Sequence, residues 1–271
     1  MEGRTRPENS GTIRVDTTLV TVPVIVIDME GKFISGIAPE KFHVYENGVE
    51  QKIDRVITEA APFHVPLLMD ISRSASIARP DMEHAALDFL RTLRPGDGGM
   101  VLSVNYWIYV DSEFTDNVDR LQKAILNSGK RAGIPYTGTN FKRIIDDPAR
   151  DVTTRLYDAI DLTITERLST ISGRKAMLVF TDGVDVGSRL ANRSTLLARV
   201  EESDVVVYVV CYDTPLPTNT LKPKDKVPLE GSGAAYREAA DYLHHLVASG
   251  GGRFIKVTSA ADVRAAFSAI A

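Results

Sequence analysis

Two hydrophobic periods share this chain. Residues 65–69, 176–180 and 205–211 are continuous apolar runs. Short runs without alternation read as strands buried on both faces, as in a parallel sheet. Between them the period becomes helical. Over 80–94, Met82, Ala85, Ala86, Phe89, Leu90 and Leu93 fall on one face, and over 152–168 Leu156, Ile160, Ile164 and Leu168 do the same. Helices are also expected over 117–126, 194–201, 234–248 and 259–271, the last opened by Ser259 as N-cap. Residues 100–106 and 108–114 alternate as strands, the second expected to be antiparallel at an edge, and 254–257 reads as a final strand. The order of elements predicts an α/β fold: a doubly wound, mainly parallel, Rossmann-like sheet with helices on both faces.

The beginning of the chain has a different pattern. Residues 12–27 are β-branched and alternating, with Pro23 marking an edge or a bulge. Residues 32–37 read as a short strand and 39–42 as one turn of helix. Asn47-Gly48 stands between two short strand-like stretches, 42–46 and 49–53. That dipeptide suits a type I′ hairpin, which needs two positive φ values. Residues 12–60 therefore form an N-terminal β module. So short a segment has a thin core, so it is expected to pack on the main domain, 61–271. Residues 1–11 read as a disordered or cloning-derived tail. The segments 127–150 and 214–228, rich in glycine or proline, read as loops.

Composition narrows the function classes. Hydrophobic residues are 44% and charged residues 25%, the balance of a globular chain with a real core. The formal net charge of -4 offers no basis for binding nucleic acid. No apolar run reaches the ~20 residues of a membrane span. The first residues lack the apolar stretch of a signal peptide. Cys211 is the one cysteine, which excludes a disulfide framework and a cysteine-based zinc site.

Candidate chemistry lies where strands end. The run 65–69 closes on Asp70-Ile71-Ser72-Arg73-Ser74, and the run 176–180 on Thr181-Asp182-Gly183. Thr154 opens the helix expected over 152–168. Open α/β sheets bind ligands at the carboxyl ends of their strands. Asp70, Ser72, Ser74, Thr154 and Asp182 would bring hydroxyl and carboxylate oxygens to one such edge. Hard oxygen donors suit Mg²⁺, Ca²⁺ or Mn²⁺ rather than zinc.

Asp70-x-Ser72-x-Ser74, Thr154 and Thr181-Asp182-Gly183 together resemble the metal-ion-dependent adhesion site of von Willebrand factor A domains. Asp28-x-x-Gly31-Lys32-Phe33, Phe42-x-Val44-Tyr45-Glu46-Asn47-Gly48, Thr154-x-Leu156-Tyr157-Asp158-Ala159 and Ser249-Gly250-Gly251-Gly252-Arg253-Phe254 are similar to bacterial VWFA-related proteins of the Acidobacteria type. The resemblance implies a non-enzymatic protein-binding or adhesion module. A divalent cation, Mg²⁺ first and Ca²⁺ or Mn²⁺ as alternatives, would bridge to an Asp or Glu of a protein partner. It implies Ser72, Ser74 and Thr154 as direct ligands in the liganded state, with Asp70 and Asp182 behind them, and export from the cytoplasm. The family's Gly-Gly before the threonine is replaced by Asp151-Val152-Thr153. Thr139, in Thr137-Gly138-Thr139-Asn140, stands as the alternative threonine.

Two other functions are open at this point. One is a metal-free structural domain of the same fold within a larger assembly. The other is a Mg²⁺-dependent phosphoryl-transfer enzyme with Asp70 as nucleophile and Lys175 near Asp182. No Gly-x-Ser-x-Gly elbow is present. His244-His245, Tyr106 and Trp107 read as surface or packing residues, and Asp185 as a solvated loop residue, with a supporting place behind the cation ligands as the alternative.

Overall fold

The computed structural model describes residues 20, 22, 24, 26, 34, 36–57, 62–130 apart from Arg73 and Ile77, 134–135, 154–212 and 233–257. After a 3-10 turn at Pro39–Lys41 come β1 (Val44–Glu46) and β2 (Val49–Gln51), paired antiparallel. Asn47 and Gly48 have φ of 50° and 81°, so the hairpin has the positive-φ turn that the dipeptide predicts. No described residue of 36–57 is buried. Of the strands expected over 12–27 and 32–37, only residues 20, 22, 24, 26, 34, 36 and 37 are described, and the helix expected over 259–271 lies wholly outside the described residues.

The main sheet begins with β3 (Phe63–Asp70), followed by α1 (Arg79–Leu90), β4 (Gly98–Val104), β5 (Ile108–Thr115), α2 (Val118–Asn127) and β6 (Ile134–Pro135). Then come α3 (Leu156–Leu162), β7 (Arg174–Thr181), α4 (Arg193–Glu202), β8 (Val205–Tyr212), α5 (Gly233–Ser249) and β9 (Phe254–Val257). The strand order is β6-β5-β4-β3-β7-β8-β9, parallel except for β5 and β6. The α/β fold class is thus as the pattern indicates. β5 is antiparallel as expected but is not the edge, because β6 pairs with its outer side.

The continuous apolar runs became the central strands. Every residue of β3 from Val65, and of β7 from Lys175, is buried. On one face, Val65, Leu67 and Met69 meet Met82, Phe89 and Leu90 of α1 with Leu121 and Ile125 of α2. On the other, Leu68, Met177 and Val179 meet Leu156 and Ile160 of α3, Leu196 of α4 and Leu243 of α5. Helix starts follow local chemistry. Asn117 accepts the Arg120 N–H at 2.9 Å to open α2. Asn192 and Thr195 form a capping box on α4.

The chain leaves β3 toward β4 on one side and later returns to β7 on the other. The crevice between the carboxyl ends of β3 and β7 is therefore the point where the winding reverses, the usual ligand position of an open α/β sheet.

Candidate metal centre

Asp70 is the last residue of β3, and Asp182 directly follows Thr181, the last residue of β7. The two strands pair in parallel up to Met69 and Phe180, so both carboxylates emerge side by side at that crevice. They are 1% and 3% exposed.

The short segment after β3 turns sharply under the Asp70 side chain. Asp70 Oδ1 accepts the Ser72 N–H at 2.8 Å, a local aspartate turn. Ser72 Oγ lies 3.1 Å from Ser74 Oγ and accepts the Ala75 N–H at 3.3 Å. A single 3-10 turn, Ser74–Ser76, then leads toward α1. Thr181 Oγ1 donates to Asp70 Oδ2 at 2.7 Å and accepts the Gly183 N–H at 2.9 Å. Asp182 Oδ1 accepts the Val184 N–H at 3.3 Å. Asp182 Oδ2 is buried and without a hydrogen-bond partner among the described residues.

Burial and proximity disfavour the doubly ionised form of this pair. Burial pushes the Asp70 carboxyl above the usual carboxylate range, and the neighbouring Asp182 charge pushes it further. Burial also raises Asp182, partly offset by the nearby Ser74 hydroxyl and the Val184 N–H. Among the described residues no lysine or arginine contributes to either shift. Two adjacent buried carboxylates, one with an unpaired oxygen, are costly where no described residue gives them a counter-charge.

Thr154 is buried immediately before α3. Its carbonyl accepts the N–H groups of Val186 and Gly187 at 3.2 and 2.9 Å. It is thereby tied to the loop that follows Asp182. Of the residues read as ligands, Asp70, Ser72 and Ser74 lie on one side of the crevice, Asp182 on the other, and Thr154 on the loop bonded to the Asp182 segment. Thr139, Arg73 and Asp151-Val152-Thr153 lie outside the described residues. Among the described residues no cluster of three His, Cys, Asp or Glu side chains is present. A divalent cation here would therefore depend on hydroxyls as well as carboxylates, a donor set that suits a hard ion.

Several supporting residues carry no sequence signal of their own. Thr181 was legible only as part of a strand end. Asp185 is not a solvated loop residue: its Oδ1 accepts the Tyr157 N–H at 3.0 Å and the Ser188 hydroxyl at 2.6 Å. Burial raises its pKa to about 6. Asp158 is fully buried in the first turn of α3, where Arg155 also packs its guanidinium 4.9 Å from the Tyr106 ring centre. Tyr106 and Trp107 stack edge to face, as packing residues do, and His244 and His245 are exposed on α5.

No family model matches the chain, and no curated protein matches it in sequence. Solved structures do match it. The vWF domain of the type V pili tip protein Mfa5 from Porphyromonas gingivalis is similar with a TM-score of 0.51 and 12% identity, over 80% of this chain and 95% of that one. The conserved hypothetical protein BatB from Bacteroides thetaiotaomicron gives 0.52 and 14%, over 77% of this chain and 97% of that one. The pilus adhesin SpaC from Lactobacillus rhamnosus GG gives 0.51 and 10%, over 78% of this chain and 30% of that one. The chain has the von Willebrand factor A-type fold, and the likeness at these identities is one of fold.

Proposed function

We propose that this chain is a protein-recognition domain, not an enzyme, and that it uses a divalent cation to bridge to an acidic side chain of its partner. Asp70, Ser72, Ser74, Thr154 and Asp182 would hold the ion, Mg²⁺ first. Neutral hydroxyls leave much of the cation's charge unquenched, so an Asp or Glu carboxylate from outside completes it. The observation that carries this reading is the Asp70–Asp182 pair, which is buried, lacks a described counter-charge and leaves Asp182 Oδ2 unpaired. A metal-free structural domain has no use for that cost. A cell-surface setting fits the pilus proteins that share the fold, and with it an extracytoplasmic location. No helix among the described residues is long and apolar enough to cross a membrane.

The phosphoryl-transfer alternative loses its lysine. Lys175 is at the amino end of β7, bonded to Asp204 at 2.7 Å, at the opposite end of that strand from Asp182.

Thermal unfolding tests the metal. An ion that binds the folded state in large excess over its Kd raises stability by about 2.7 kcal/mol at a hundredfold excess. Mg²⁺ or Mn²⁺ should raise the midpoint of the wild type and leave Asp182→Ala unmoved. Equal midpoints with and without cation in the wild type would exclude the site. Capture of a partner through an acidic segment should then disappear when a chelator is added.

A further inference from the structure

The loop that carries Asp182 and the segment that carries Thr154 are bonded to each other through many groups. Residues 183–191 wrap around the first turn of α3. Asp158 Oδ1 accepts the N–H groups of Arg189, Leu190 and Ala191 at 3.1, 2.8 and 2.9 Å, and Oδ2 takes the Arg189 N–H at 3.0 Å. The Asp158 N–H donates to Ser188 Oγ at 2.9 Å, and Ser188 Oγ donates to Asp185 Oδ1 at 2.6 Å. Asp185 Oδ1 also accepts the Tyr157 N–H at 3.0 Å. The Thr154 carbonyl completes the set with Val186 and Gly187. The first-turn N–H groups of α3 thus find their acceptors in the loop, and the loop finds its acceptors at the start of α3.

An ordinary helix cap would not need this. A cap residue precedes its helix and accepts N–H groups of that same helix. Asp158 is inside α3 and accepts N–H groups of a foreign loop. It does so as a fully buried carboxylate, an expensive group to place there unless its geometry is needed. Its charge is met by the loop N–H groups and by the Arg155 guanidinium at 3.7 Å.

We propose that Asp158 is a positioning residue for the cation site: through Ser188, Asp185 and the loop backbone it fixes Asp182 against Thr154, so that ligands from two distant segments move as one unit. The inference rests on the metal-bridged reading above. It also gives Thr154 a hold from its C-terminal side, which reduces the weight of the Asp151-Val152-Thr153 approach that replaces a Gly-Gly pair. Ligand groups whose supporting contacts are locked bind metal more tightly than loose ones, and removing such support weakens affinity by roughly 10–100-fold.

The test is a Mn²⁺ binding titration on the full chain, held well below its unfolding midpoint, for wild type, Asp158→Ala, Asp158→Asn, Ser188→Ala and Asp182→Ala. Circular dichroism confirms the fold of each. Asp182→Ala should not bind. Asp158→Ala should bind about tenfold or more weakly. Asp158→Asn keeps one oxygen that can accept the three loop N–H groups, and should recover most of that loss. Ser188→Ala, a half-buried change that tests the same clamp if Asp158→Ala does not fold, should weaken binding several-fold. A residue that only stabilises the fold would lower the midpoint and leave the Mn²⁺ affinity alone. Wild-type affinity in both Asp158→Ala and Ser188→Ala, or in Ser188→Ala when Asp158→Ala is unfolded, overturns the positioning role and leaves the site. No Mn²⁺ binding by the wild type overturns both.

Discussion

Four buried or half-buried aspartates show how environment sets the work of one side chain. Asp158 has its oxygens filled by loop N–H groups, and Asp185 has two donors. Asp70 has Ser72 and Thr181. Asp182 keeps one oxygen empty beside another carboxylate. Asp182→Asn removes a carboxyl from a buried pair that resists double ionisation. In metal-free buffer at neutral pH it should raise the unfolding midpoint, by up to a few degrees, while the Mg²⁺-induced shift disappears. Such a gain in stability with a loss of binding is the usual signature of a functional charge. A fall in the metal-free midpoint would mean the pair is not under repulsive strain.

Asp111 on β5 offers the pH test away from the site. Burial raises its carboxyl to about 6, offset in part by the Ser103 hydroxyl. The folded pKa is above the ordinary aspartate value of 3.8, so the unfolded state releases the proton first as pH rises. The resulting stability is present below about pH 4 and is lost as pH rises through about 6. Asp111→Asn should remove that loss. Its stability relative to wild type should increase between pH 4 and pH 8, by at most about 3 kcal/mol. Chemical denaturation at the two pH values measures it, and a pH-independent difference would contradict the assignment.

At this scale the sequence exposed the proposed ligands better than the residues that support them. Asp70, Ser72, Ser74 and Asp182 end apolar runs, so they stand out where the pattern breaks. Asp158, Asp185 and Ser188 act on backbone N–H groups of other segments. No period or spacing marks such a partner before the chain is folded.

At the scale of elements, hydrophobic pattern located the strands well and the helix ends less well. The helix expected over 80–94 ends at Leu90, because the Thr92 hydroxyl and N–H both turn back to the Phe89 carbonyl. The helix expected over 152–168 is α3 followed by a π-helical turn over Thr163–Leu168. Thr163 and Thr165 hydroxyls bond back to the carbonyls of Ala159 and Asp161, a contact that competes with regular helix geometry. The apolar face continues through that turn, so its period alone could not reveal the change. The glycine run before β9 has a clear tertiary reason. A Cβ at Gly252 would lie 1.8 Å from the Val207 carbonyl oxygen, in backbone that cannot yield without parting β8 from its neighbour. Gly252→Ala should cost on the order of 3 kcal/mol or more, among the large effects of single substitutions. A midpoint within a degree of wild type would show that the turn can move aside.

At the scale of the molecule, the seven-stranded sheet and both hydrophobic layers, as far as the described residues form them, lie within residues 63–257. All five residues proposed as ligands lie there as well. The β1–β2 hairpin contributes nothing buried to either layer, and Tyr45 and Val49 on it are 61% and 63% exposed. The sequence suggested a β module resting on the main domain, because a short β segment rarely holds itself together. The hairpin's own turn, with its two positive φ values, explains its local shape without such a contact. A chain starting at residue 61 should therefore fold, with an unfolding midpoint within a few degrees of the full chain. Apolar contact of even one well-buried valine or leucine would contribute about 1.5–3 kcal/mol, enough to show as a lower midpoint. The shortened chain should also keep the full Mg²⁺-induced shift, since the cation is proposed to contact only residues from Asp70 onward. A large drop in the midpoint would place the N-terminal segment against the main domain. A retained midpoint with a lost Mg²⁺ response would instead give that segment a direct part in the cation site.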